Sequence, residues 1–214
     1  MKYFKVFFVL LILAISTSAQ AQLVSRLGGL AYYDTESDLT WLADANYAQT
    51  SGYDSDGLMN WGVANEWANN LSVEGVTGWH LADTLQPDPG CSIQKTGNAS
   101  YGFNCTESIM GNMFHNVLGG SSNNSITSVH NANYNLFTNI QSGKYWSSTD
   151  LELIALYAWY FDFSNGEQNE NGKGFDGYAW AVYTGDVSTV PVPPAIWLFC
   201  SGLFALVGFR IINK

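Results

Sequence analysis

The segment Leu156–Phe163, LYAWYFDF, decides how the rest of the chain is to be read. Aromatic residues dominate it and no helical spacing organises them, so it is a strand. Side chains alternate across a strand, which predicts Tyr157, Trp159, Phe161 and Phe163 facing a core and Ala158, Tyr160 and Asp162 facing away. Ser164-Asn165-Gly166 then turns the chain. Tyr145-Trp146-Ser147 on one side and Tyr178–Tyr183 on the other, beyond a Gly-rich segment, are further strand runs. The last third is therefore an antiparallel sheet.

Towards the N-terminus, Leu30–Tyr33 and Leu39–Leu42 flank Asp34-Thr35-Glu36-Ser37-Asp38, which reads as a hairpin, and Trp79-His80-Leu81 is a short strand. Two helices are predicted. Asn60 caps the first, in which Trp61, Ala64, Trp67, Ala68 and Leu71 recur at helical spacing. The second runs from Glu107 to Leu118, with Ile109, Met110, Met113, Phe114, Val117 and Leu118 as its apolar stripe and Gly119-Gly120 as its stop. Residues 87–101 and 119–135 read as loop. Early helices and late antiparallel strands in one domain give the α+β class.

Both chain ends read as addresses. Lys2 and Lys5, the apolar run Phe7–Ile15 and the small-residue site Ala19-Gln20-Ala21 form a secretory signal peptide, 1–21, with Gln22 as the mature terminus. At the other end an uncharged run from Ala195 to Phe209 is followed by Arg210 and Lys214. With Ile211 and Ile212 it makes a transmembrane helix over about 195–212, its basic tip on the cytoplasmic side. Pro191-Val192-Pro193-Pro194, Ala195-Ile196-Trp197-Leu198-Phe199 and Ser201-Gly202-Leu203 resemble the PEP-CTERM sorting signal of Gram-negative bacteria. That resemblance implies an exosortase partner and delivery to the cell envelope or extracellular matrix. Pro191, Pro193, Pro194, Trp197 and Arg210 carry the signal.

Between the addresses lies one domain, 22–187. All 18 acidic residues fall in this body but only four of the eight basic ones do, so a chain of formal charge −10 has a body of −14. Such a surface excludes nucleic acid, whose binding needs clustered lysine and arginine, and it suits neutral or cationic ligands. Cys91 and Cys105 are the only cysteines of this exported body, and an oxidising compartment makes them a disulfide.

Further stretches resemble the Lcl C-terminal-type domain, a bacterial module related to C-type lectin-like folds. They are Leu39-Thr40-Trp41-Leu42, Asp44-Ala45-Asn46-Tyr47, Gly52-Tyr53-Asp54-Ser55-Asp56-Gly57, Gly78-Trp79-His80-Leu81, Tyr145-Trp146-Ser147-Ser148-Thr149 and Ala179-Trp180-Ala181-Val182. The resemblance spans about residues 30–187 and implies two helices packed on a curved antiparallel sheet. It implies no single activity, because such folds host several.

Chemical motifs are sparse. Gln86-Pro87-Asp88 matches a tripeptide with which C-type lectins ligate calcium and galactose, but the Trp-Asn-Asp that completes that site is absent. Asp54 and Asp56, before Gly57, are candidate calcium ligands set against the plainer reading as a solvated Asx turn. His80, His115 and His130 lack zinc-site spacing, and no nucleophile elbow or phosphate loop occurs, so no cofactor other than calcium is indicated. Seven body tryptophans read as core. Tyr160, Asp162 and Tyr183 are the candidate ligand face. The reading is an exported, envelope- or matrix-associated, non-enzymatic protein with a lectin-like domain. The alternatives are a carbohydrate-binding module for extracellular polysaccharide, or a hydrolase or metal-dependent enzyme on the same fold.

Overall fold

A computed structural model describes residues 22–97, 99–151 and 154–187 of the 214-residue chain. The segments expected to be a signal peptide (1–21) and a sorting tag (188–214, with Pro191, Pro193, Pro194, Trp197 and Arg210) lie outside the described residues. No helix among the described residues is long and apolar enough to cross a membrane.

The domain is mixed α/β and dominated by antiparallel sheet. The first five-stranded sheet has the order β1 (Leu23–Arg26), β2 (Ala31–Asp34), β3 (Leu39–Leu42), β12 (Ala181–Thr184), β5 (His80–Leu81). The second has the order β6 (Ile93–Gln94), β7 (Ser100–Phe103), β10 (Glu167–Gly172), β9 (Tyr157–Asp162), β8 (Lys144–Asp150). A ribbon of β4 (Met59–Asn60) and β11 (Asp176–Gly177) accompanies them. The hairpin read at residues 30–42 is β2–β3, with Asp34 paired to Leu39. Its turn is held by Asp34, whose carboxylate accepts from Glu36 N at 3.0 Å and from the Ser37 hydroxyl at 2.7 Å.

Helix α1 is one short turn, Tyr47–Thr50. Helix α2 (Trp61–Asn70) is capped as its sequence requires: the Asn60 side chain accepts from Val63 N at 3.1 Å, and Ala64, Trp67 and Ala68 are buried. The second predicted helix departs from expectation. It begins as α3 (Ile109–Asn112) and widens into a π-helical turn over Met113–Val117, with Leu118 N bonded to Met113 O at 2.8 Å. The apolar stripe still reaches the core, because the wider turn keeps Met113, Phe114, Val117 and Leu118 on the buried side.

That turn carries a titratable group inward. His115 Nδ1 donates to Gly120 O at 3.2 Å, while its buried Nε2 has no partner among the described residues. Burial pushes its pKa below the ordinary histidine value, and the Gly120 contact offsets this only in part. The folded chain therefore resists a proton that the unfolded chain accepts below about pH 6.5. Stability is full above that pH and falls as the pH drops toward the folded-state value. A urea midpoint measured at about pH 7.5 and about pH 5.5 should decrease more for the parent than for His115→Gln; equal decreases would refute this assignment.

The alternation read on LYAWYFDF needs correction, because the central strand is covered on both faces. Trp159, Phe161 and Phe163 are buried, but so are Ala158, Tyr160 and Asp162, and Tyr157, expected inside, is 39% exposed. On one face Phe161 meets Phe114, from the π turn, at 5.4 Å. On the other, Tyr160 pairs across the sheet with Trp146, whose indole donates to Met59 O on β4 at 2.9 Å. A strand buried on both sides shows no solvent face. Tyr157 escapes because it lies at the strand end, beside exposed Leu156.

Three other expectations change. Residues 87–101, read as loop, contain β6 and the start of β7, stapled by the Cys91–Cys105 disulfide across a separation of 14 residues. By the chain-entropy estimate, closing such a loop stabilises the fold by about 3 kcal/mol. Glu167–Gly172, not read as a strand, is β10, because its backbone pairs with all of β9. Tyr178–Tyr183 is not one continuous strand: Tyr178 bridges to Tyr145, and the chain then crosses to the first sheet as β12. Trp180 sits at that crossing, fully buried.

Candidate functional site

The residues singled out for ligand contact do not converge. Tyr160 is 6% exposed, with the Lys144 ammonium 4.6 Å from its ring centroid. Burial and the nearby Glu167 and Asp162 carboxylates push its hydroxyl up to about 12. Asp162 builds the β9–β10 turn, accepting from Ser164 N at 2.8 Å. Tyr183 is on β12 in the other sheet, where its ring meets Trp79 edge-on at 6.0 Å. A shared ligand face would need β12 beside β9, but β12 lies between β3 and β5 and β9 between β10 and β8.

Asp54 and Asp56 form consecutive Asx turns. Asp54 accepts from Asp56 N and Gly57 N, and these amides hold its carboxyl below the usual carboxylate range. Asp56 accepts from Leu58 N at 3.0 Å. Gly57 is required there: it has φ +81°, and a Cβ would overlap the Asn46 side chain. The Gln86-Pro87-Asp88 tripeptide is turned inward. Gln86 accepts from Ser100 N and donates to Ser100 O, while fully buried Asp88 accepts from Gly90, Glu107 and Ser108 amides. Asp88, Cys91 and Cys105 lie close enough to suggest a metal, but the two sulfurs are bonded to each other, so the group is a structural staple.

The described residues form several concavities. One, about 540 Å³, is a groove flanked by Glu36, Asp38, His80, Asp83, Glu107 and Thr184. Much of its polar lining is already engaged. Asp38 accepts from the Tyr33 hydroxyl at 2.8 Å, Asp83 accepts from the Ser148 hydroxyl, and both His80 ring nitrogens have partners.

Another, about 380 Å³, is more enclosed and mostly apolar. Leu30, Leu42, Val73 and Leu136 line it, together with Tyr32, Tyr47 and Asp44. It is assembled by stitching two distant segments side by side. Ala43 N bonds to Leu30 O, Thr138 N to Ala43 O at 2.7 Å, and Ala45 N to Thr138 O at 2.9 Å. This brings the 3₁₀ turn Ala132–Leu136 against the hairpin, and Phe137 supports Tyr32 edge-on at 5.4 Å. Asp44 is oriented by three donors: Asn46 N at 2.9 Å, the Thr50 hydroxyl at 2.7 Å and Asn139 Nδ2 at 2.9 Å. The hydroxyls of half-buried Tyr32 and Tyr47 have no hydrogen-bond partner among the described residues. A concave apolar site with a few fixed polar groups is the usual form of a small-ligand pocket. In the sequence, Asp44 stands out only by lying near the candidate calcium ligands Asp54 and Asp56, and nothing local marks Tyr47 as a ligand residue. Tyr32 and Leu136 carried no signal, since only the 43–45/138 bridge makes them neighbours. No protein-family model, no curated protein and no solved structure matches the chain.

Proposed function

We propose that this chain is an exported, non-enzymatic module of the cell envelope or extracellular matrix of a Gram-negative bacterium that binds polysaccharide, seating one sugar residue between Tyr32 and Tyr47. The pocket carries the reading. Aromatic rings stack on the C–H face of a sugar, and the free tyrosine hydroxyls with the Asp44 carboxylate can exchange hydrogen bonds with its hydroxyls. A disulfide-closed loop suits an exported chain. The body charge of −14 argues against nucleic acid as a partner. Antiparallel sheet with α2 and the α3–π segment packed against it is compatible with a C-type lectin-like domain of the Lcl C-terminal type. In this reading the tag at 188–214 supplies the membrane-spanning helix and the exosortase substrate. Calcium, if it takes part, would be held at Asp54 and Asp56.

The test is retention of the full chain on a panel of gel-embedded polysaccharides. Tyr32→Phe with Tyr47→Phe keeps the ring packing and removes both hydroxyls. A typical hydrogen bond contributes about 0.5–1.5 kcal/mol, so the double variant should weaken retention by about tenfold or more. Its melting temperature should stay close to the parent's. Retention unchanged in the double variant would move the site elsewhere; no retention of the parent on any polysaccharide would defeat the reading.

A further inference from the structure

Among the described residues the Tyr32–Tyr47 pocket holds one charged group, and its sign bears on which sugar fits. Asp44 lines the cavity, and no described lysine or arginine does. The ion pairs Arg26–Asp186 and Lys173–Asp150 engage other residues. The three groups that hold the Asp44 carboxylate, Asn46 N, the Thr50 hydroxyl and Asn139 Nδ2, are all neutral, so they orient its charge without cancelling it. An apolar wall of Leu30, Leu42, Val73 and Leu136 adjoins it, and a charge beside low-dielectric walls acts more strongly than one in open water. The body outside the pocket is strongly acidic as well, which disfavours an anionic ligand on approach.

Resting on the reading of this cavity as a saccharide site, we propose that it selects a sugar residue bearing a protonated amine, with Tyr32 and Tyr47 against the ring and Asp44 against the ammonium. A free amino group on the ring can donate to the carboxylate and pair with its charge. The same residue with its amine acetylated can only donate a neutral amide hydrogen. A uronic acid places two like charges together. The expected order is therefore amino sugar, then N-acetylated or neutral sugar, then uronic acid.

Calorimetric titration of the full chain would compare three oligomers of equal length at about pH 6: glucosamine, N-acetylglucosamine and galacturonic acid. The glucosamine oligomer should bind at least about tenfold more tightly than the N-acetylated one, and the galacturonate oligomer should not bind. Asp44→Asn should lower the affinity for the amine oligomer to near that for the N-acetylated oligomer. Asp83→Asn, in the separate acidic groove, should leave the preference intact. Melting curves establish that each variant is folded. Equal affinity for amine and acetylated oligomers, weakened together by the Tyr32→Phe/Tyr47→Phe pair, would overturn the amine selectivity and leave the saccharide pocket standing. An amine preference that survives Asp44→Asn would assign it to the overall acidic charge and equally overturn the proposal. Binding of none of the three oligomers would remove the selectivity together with the saccharide reading beneath it.

Discussion

Replacing Gly111 with alanine is expected to cost the fold several kcal/mol, the reverse of what helix propensity alone would give. Gly111 lies within α3 with ordinary helical dihedrals, and there alanine is favoured over glycine by about 1 kcal/mol. The space decides otherwise. A Cβ at this position would stand 1.7 Å from the Cys105 carbonyl oxygen and 2.8 Å from its carbon, with the Phe161 ring 3.4 Å away. The obstacle is backbone, and it cannot retreat easily because Cys105 is tied to Cys91. Relief requires moving the helix off the sheet, which would open the Phe114–Phe161 contact. Overpacking typically costs about 1–3 kcal/mol where side chains can adjust, and this contact is more severe. Urea titration of Gly111→Ala should show a large drop in midpoint or no cooperative transition. A midpoint equal to or above the parent's would mean that helix and disulfide loop do not meet as described.

Trp180→Ala should be comparably damaging for a different reason, the loss of a shared core element. Trp180 is fully buried at the crossing between the two sheets. Its ring meets Trp41 of β3 at 5.0 Å, Phe137 at 5.3 Å, and Tyr145 and Phe163 at 5.9 Å each, and its indole donates to Leu42 O at 2.8 Å. Truncating a buried tryptophan costs about 3–5 kcal/mol, and the orphaned Leu42 carbonyl adds to that. Net stabilities are about 5–15 kcal/mol, so a domain of this size should lose on the order of 10 °C or more in melting temperature. Trp180→Phe should lose less, since much of the ring volume remains. The effect should also reach the pocket, because Phe137 lies between Trp180 and Tyr32. A Trp180→Ala chain melting within about 2 °C of the parent would show that the two sheets do not share this core.

What the sequence by itself determined is local or compositional. The Asn60 cap, the β2–β3 hairpin and the inward stripe of the Ile109–Leu118 segment depend on residues a few positions apart, so spacing suffices to find them. The Cys91–Cys105 bridge followed from there being no other cysteine in the body to pair with. Tryptophan burial was legible for Trp41, Trp67, Trp79, Trp146, Trp159 and Trp180, since so large an apolar surface seldom stays in water. Trp61 is the exception, half-buried beneath the Lys173 ammonium, which lies 4.1 Å from its ring.

Only the tertiary structure decided the rest. Glu167–Gly172 has no apolar residue and is a strand because β9 on one side and β7 on the other offer it ladders, strand formation depending more on neighbours than on intrinsic preference. Alternation misassigned Tyr160 and Asp162, because a period of two says which side chains share a face and not whether that face is covered. The pocket was beyond reach for the same kind of reason. Tyr32, Asp44 and Tyr47 stand within sixteen residues of one another, but Leu136 and Thr138 come from some ninety residues later. They meet through main-chain hydrogen bonds between residues 43–45 and Thr138. Every residue carries the same main-chain donor and acceptor, so side-chain identity does not encode which distant segments will pair.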